Sequence, residues 1–236
     1  MVALDRLPSL ISEIERTIIP EFKLLLSRIP FLRKMHYKTL KKNKQQITVV
    51  VNLLTKTLHA DTDKLHSEVC RNVREMAEFS DGILLFYGKC GYNSEKMEAE
   101  LKDFDCPLYF LKDENRELAD DCISIALGGN EIYTKTMLIG NGKASMYATP
   151  MWMSSFREEL DRPTVPSQNL NKYLSNPRYG QVFKINTQGF KYNGFHKSVS
   201  EFAKAFDMNI IEIDGSMKIA VDSYMDAKVG VYKNVE

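Results

Sequence analysis

Residues 83–93 read ILLFYGKCGYN. The apolar run from Ile83 to Tyr87 has the length of a buried strand. Glycines at 88 and 91 then bracket Lys89 and Cys90, and a polar helix start follows. Glycine lets the backbone turn sharply and approach a ligand closely. Open α/β sheets bind their ligands beyond the carboxyl ends of the strands. The stretch therefore predicts an α/β fold, and it predicts that Tyr87, Gly88, Cys90 and Gly91 lie at its site.

Working outward from it, Ile47–Leu54 (ITVVVNLL) is β-branched, short and continuous, and reads as another buried strand. Asp61 or Thr62 can cap a helix to about Phe79, with Leu65, Val69, Val73 and Met76 as its inner stripe. Cys70 falls beside that stripe as a small core residue. His66 reads as exposed, and His59, in the loop after the strand, is the histidine better placed for a site. Asn93 or Ser94 caps a helix to about Phe104. Residues 106–111 (CPLYFL) form a strand with Cys106 at its structural end. Arg116–Leu127 reads as a helix stopped by Gly128-Gly129, and a second short helix begins near Asn130.

Ser145–Thr149 is a candidate fourth strand, followed by Pro150 and the single tryptophan, Trp152. Residues 161–180 carry three prolines and look like a connection between halves. Beyond them, Gln181–Ile185 and Asn209–Ile213 read as strands, and His196–Phe206 and Met217–Ala227 as helices. Strands that alternate with helices predict a largely parallel sheet covered by helices on both faces. This α/β domain spans residues 45–236, with a possible sub-lobe boundary near 161–180.

Residues 1–44 differ from the rest. Apolar residues recur at helical spacing, prolines 20 and 30 interrupt them, and cations dominate from Lys23 to Lys44. This predicts a basic amphipathic helical arm, suited to an anionic membrane surface, to a protein partner or self-association, or to packing on the body with its charges in water.

Composition excludes several classes. The chain has 236 residues, 44% hydrophobic and 27% charged, with a net charge of +1. No global basic excess is available to neutralise phosphates, so no nucleic-acid role is expected. No apolar run reaches the ~20 residues of a membrane span. The N-terminus lacks a signal-peptide core, and a cytoplasmic protein with reduced thiols is expected. The four cysteines, at 70, 90, 106 and 122, form no CxxC pair, against a zinc ribbon.

The chain also lacks GxGxxG, HExxH and GxSxG motifs, and its GNGK turn at 140–143 is no phosphate loop. Thiols and carboxylates remain. In a parallel sheet the loop after Tyr87 and the loop holding Asp120, Asp121 and Cys122 open on one edge, so Cys90 and Cys122 can face each other. Deprotonated cysteine serves both as ligand and as nucleophile. Flanking carboxylates suit a metal better, because a cation offsets their repulsion. Sulfur with carboxylate favours zinc or iron over magnesium. The expected ligands are Cys90 and Cys122, with Asp121, Asp120 or His59 completing the shell and Trp152 lining the pocket. Three alternatives stay open: two cysteines buried in a core, a cysteine-dependent enzyme, and a non-catalytic scaffold working through the helical arm.

The segments FYGKCGYN (86–93), CPLYFLKDENRELADDCISIALGG (106–129) and YATPMW (147–152) resemble an uncharacterised family from anaerobic archaea and bacteria, domain-of-unknown-function family sixteen thirty-eight. That family carries a GYGxCG turn, an Ala-His-Asp-Cys-Ile helix start and a Thr-Pro-Gly-Trp segment. Matching positions are Tyr87, Gly88, Cys90 and Gly91; Asp121, Cys122 and Ile123; Leu127 and Gly128; and Thr149, Pro150 and Trp152. The chain departs at Asp120, where the family has histidine, at Leu118 in place of arginine, and at Met151 in place of glycine. The family's opening strand with its own Cys-Gly has no counterpart. The resemblance implies an accessory role in corrinoid methyltransferase-linked one-carbon metabolism.

Overall fold

A computed structural model describes residues 23–26, 48–52, 54, 58, 61–89, 99–100, 105–139, 143–153, 179–187 and 193–235. The chain divides into two compact units. The first comprises residues 4–112 with 220–236, and the second residues 113–219 with 1–3. Every strand pairing among the described residues is parallel, and helices flank the sheets, as the alternating pattern predicts.

In the first unit, β1 (Lys23–Leu26) pairs with β2 (Thr48–Val51). These four residues are the described part of the expected helical arm, and there the chain is extended. Leu24-Leu25-Leu26 is a continuous apolar run, which satisfies a buried strand as well as a helix, so periodicity alone does not separate the two. The rest of the expected arm lies outside the described residues.

Helix α1 (Thr62–Ala77) starts where a cap was expected: the Asp61 side chain accepts from the Lys64 backbone N–H. Leu65, Val69 and Val73 each fall to 2% exposure, in one cluster with Ile83 and Leu85 of β3 (Ile83–Leu85). Burying such side chains is worth ~1.5–3 kcal/mol each, so this stripe fixes which face of α1 points inward. Leu85 pairs with Phe110 of β4 (Leu108–Phe110), so the chain leaves both strands at the same end. Cys106 is buried and its thiol donates to the Ser80 carbonyl, the structural role expected of it.

The second unit holds the sheet β5 (Ala144–Ala148), β6 (Tyr179–Asn186) and β7 (Asn209–Asp214), in the order β5-β6-β7. Helices α2 (Cys122–Leu127) and α3 (Asn130–Leu138) precede that sheet in the sequence. Helix α4 (Phe195–Ala205) links β6 to β7 and buries Phe195, Val199, Phe202 and Ala203 against Val182 and Met153. Helix α5 (Lys218–Val235) begins in this unit and runs into the first. It is longer than its sequence pattern suggests. In the first unit, Gly230 leaves room for the Tyr109 ring, and the Ser223 hydroxyl accepts from the Lys112 backbone N–H at 3.0 Å.

One expected helix is shorter. Arg116–Leu127 does not run as a single helix, and α2 starts only at Cys122. The Asp113 carboxylate accepts from the backbone N–H groups of Asn115 and Glu117, and Arg116 takes φ +65°. An aspartate that bonds its own following backbone favours a turn over a helix. Gly128 ends α2 at φ +91°, the left-handed cap its sequence predicts.

Candidate metal centre

Helix α1 carries two ligating side chains on the face that it buries. His66 and Cys70 are four residues apart, hence one above the other on a helix. Both are buried, His66 to 9% and Cys70 to 2% exposure. The burial of Cys70 is as expected, whereas the exposed setting expected of His66 is corrected. The apolar stripe is wide enough to include it, and a polar partner offsets its desolvation.

That partner is Glu100, from the segment after β3. His66 Nε2 lies 3.2 Å from Glu100 Oε2. Cys70 Sγ lies 3.6 Å from the same carboxylate oxygen and 3.7 Å from His66 Nε2. The Glu100 side chain keeps 36% of its surface exposed. Among the described residues this is the group of histidine, cysteine and acidic side chains whose ligand atoms all fall within 4.8 Å of one another.

The arrangement discriminates between two chemistries. In a nucleophilic relay, thiol and carboxylate sit on opposite nitrogens of the imidazole, so that the ring carries a proton between them. Here both approach the same nitrogen, Nε2, and the three donor atoms form a small triangle. A triangle of sulfur, nitrogen and oxygen donors is able to hold a metal ion, and thiolate with imidazole suits zinc, iron and similar ions.

Tyr87 packs against the apolar cluster that contains Cys70. Burial pushes its hydroxyl up to about 12. Gly88 is buried beside it in the chain. His59, Cys90 and Gly91 lie outside the described residues.

Cys122 and its two aspartates belong to the second unit. Asp121 caps α2: one carboxylate oxygen, Oδ1, accepts from the Ile123 and Ser124 backbone N–H groups, each at 2.8 Å. The Tyr133 hydroxyl hydrogen-bonds to the same carboxylate. Burial, the Asp121 charge and that bond all push Tyr133 far above its ordinary value, with Tyr147 and Cys122 adding to the effect. Tyr147 meets Tyr133 edge-on at 5.3 Å and bonds the Thr136 hydroxyl at 2.8 Å. The Asp120 backbone N–H is tied to the Asn130 side chain at 2.9 Å. Trp152 stands edge-on to Phe202, 5.3 Å between ring centres, at the margin of the apolar core. None of Cys70, Cys106 or Cys122 is in a disulfide.

Residues 53–224 match the family described as Protein of unknown function (DUF1638). The chain belongs to this family. No curated protein and no solved structure matches it. The family match covers α1, both candidate cysteines and the glycine-bracketed turn. No described helix is long and apolar enough to cross a membrane.

The triad was hidden in the sequence because its third member is 30 residues from Cys70. Its signal was the His66-x-x-x-Cys70 spacing on the inner face of an amphipathic helix. A histidine and a cysteine at i and i+4 offer two converging donors.

Proposed function

We propose that this member of the DUF1638 family is a metal-binding accessory protein that holds zinc or iron through His66, Cys70 and Glu100. The observation that carries the reading is the convergence of Nε2, Sγ and Oε2 within hydrogen-bonding range of one another, on the helix face that also buries Leu65, Val69 and Val73. A buried imidazole and thiol without such a partner would be a cost with no return. Soft sulfur in the donor set selects against magnesium and calcium. The chemistry fits an accessory role beside corrinoid methyl transfer, in which the protein delivers or holds an ion.

The two-cysteine version of this reading has Cys90 and Cys122 as ligands, with Asp121, Asp120 or His59 beside them. It is carried by the sequence pattern, and the triad moves the weight of the proposal to Cys70. Elemental analysis of protein purified without oxygen decides between them. Near-stoichiometric zinc or iron that is lost in Cys70→Ser and retained in Cys90→Ser/Cys122→Ser supports the triad. Loss in the double variant alone transfers the ion to Cys90 and Cys122. No metal in the wild type, with none taken up on dialysis against zinc, ends the reading.

A further inference from the structure

We infer that the His66–Cys70–Glu100 centre is built for a tetrahedral ion, zinc in kind, with its fourth position left to a small exchangeable donor. This rests on the metal-binding reading above and adds geometry, ion and ligand class to it.

The first support is the shape of the triangle. Zinc bonds sulfur at ~2.3 Å and nitrogen or oxygen at ~2.0–2.1 Å. At tetrahedral angles those bonds set the three ligand–ligand edges at about 3.6 Å for sulfur–nitrogen, about 3.3 Å for nitrogen–oxygen and about 3.5 Å for sulfur–oxygen. The observed edges are 3.7, 3.2 and 3.6 Å. Right-angled, octahedral positions with the same bonds shrink the edges to about 3.1, 2.9 and 3.1 Å. The observed separations lie nearer the tetrahedral set than the octahedral one.

Charge is the second support. A thiolate, a carboxylate and a neutral imidazole sum to −2, which cancels a divalent cation. Next to a cluster made mostly of apolar side chains, a neutral assembly avoids the desolvation cost that a net charge brings. A fourth anionic side chain would restore a charge, so a neutral or exchangeable fourth donor is favoured.

Third, exposure is graded across the triangle. Cys70 and His66, at 2% and 9% exposure, form the floor. Glu100 is the exposed corner, at 36%. Among the described residues the carboxylate is the corner most exposed to solvent, which favours a small molecule with one anionic or soft donor atom on that side. Three protein ligands with one solvent position are the pattern of reactive rather than purely structural zinc sites.

Protons can bridge the same atoms: the Cys70 thiol and an imidazole N–H both reach Glu100 Oε2. The ion replaces them. Cys70 loses its proton to solvent and binds as thiolate, and the imidazole keeps one proton on Nδ1. No oxidant or reductant is needed.

Cobalt(II) substitution of the full chain tests each part, with circular dichroism confirming that every variant is folded. The expected result is one bound cobalt per chain, with the intense visible bands of four-coordinate cobalt. A sulfur-to-cobalt charge-transfer band should disappear in Cys70→Ser, and the visible bands should shift in Glu100→Gln. Azide should move the visible bands of the wild type and saturate. Stoichiometric cobalt with only the weak bands of six-coordinate ion overturns the tetrahedral assignment while leaving metal binding intact. Intense bands that azide does not move overturn the open position and indicate a fourth protein donor. Failure to bind cobalt or zinc at all overturns the metal-binding reading itself.

Discussion

Two cysteines, each near the start of a helix-borne polar cluster, differ in what their carboxylate neighbours are doing. Beside Cys122, Asp121 is committed to its own backbone, capping α2 through Ile123 and Ser124 and receiving the Tyr133 hydroxyl. Beside Cys70, Glu100 comes from another segment and meets the thiol and imidazole in space. Closeness along the chain favours local capping, because an aspartate's reach matches the N–H groups two and three residues on. Convergence from distant segments serves no capping role, and it is what supports the metal-binding proposal. Adjacent acidic residues and cysteine are thus weaker evidence for a metal than a histidine and cysteine one helical turn apart.

The sharpest way to break this comparison is to remove one thiol from each cluster. Cys70→Ala is expected to lower zinc affinity by at least about 100-fold, since loss of even an outer supporting group costs ~10–100-fold. Cys122→Ala is expected to leave it unchanged. Titration with a chromogenic zinc chelator measures both. Equal losses would mean that the clusters act together, and a loss confined to Cys122→Ala would reverse the contrast drawn here.

Tyr87 sharpens it from the side of the apolar wall. Burial raises its hydroxyl from about 10 to about 12. The folded state therefore holds that proton more tightly than the unfolded chain does. The associated stability, roughly 2–3 kcal/mol, is fully present below pH 10 and is lost as pH rises through 12. Denaturant midpoints should fall across that window in the wild type and fall less in Tyr87→Phe. The ultraviolet titration of tyrosinate should lose one late step in the same variant. An unchanged alkaline profile would place Tyr87 in contact with water, and so leave the Cys70 cluster without that cover.

Glu100→Gln keeps the shape and removes the charge. With the carboxylate partly exposed, about a 10-fold loss of zinc affinity is expected, or roughly 1.4 kcal/mol, smaller than the Cys70 effect because the amide oxygen remains a donor and only the charge is lost. An effect as large as that of Cys70→Ala would mean that the site is more closed than the exposure of Glu100 indicates.

How much of this was legible in the sequence follows from the range of each interaction. The α1 cap at Asp61, the stripe Leu65–Val69–Val73, the left-handed end at Gly128 and the strands around Val182 and Ile211 are local patterns. They stand within a residue or two of their expected bounds. The turn at 113–117 was missed because Asp113 competes with the helix through its own side chain, which apolar periodicity does not report. The strand at Lys23–Leu26 was missed because three consecutive leucines suit either period. His66 was misplaced for a different reason. Its partner is 34 residues away, and a buried imidazole becomes favourable only once that partner is in place.

The finest distinction concerns Asp121. As a cap, it should be replaceable by asparagine at a few tenths of a kcal/mol, since the amide oxygen accepts the same two N–H groups, whereas alanine should cost about 1 kcal/mol. As a ligand, the order reverses in character: asparagine would lose the negative charge and with it metal content, while stability would change little. Denaturation and metal content measured on the same two variants separate these outcomes. Asparagine near wild type in both, with alanine less stable at unchanged metal content, leaves Asp121 as the residue that starts α2. A metal deficit in Asp121→Asn would return it to the ligand set read from its place beside Cys122. It would also show that a single carboxylate can cap a helix with one oxygen and hold an ion with the other.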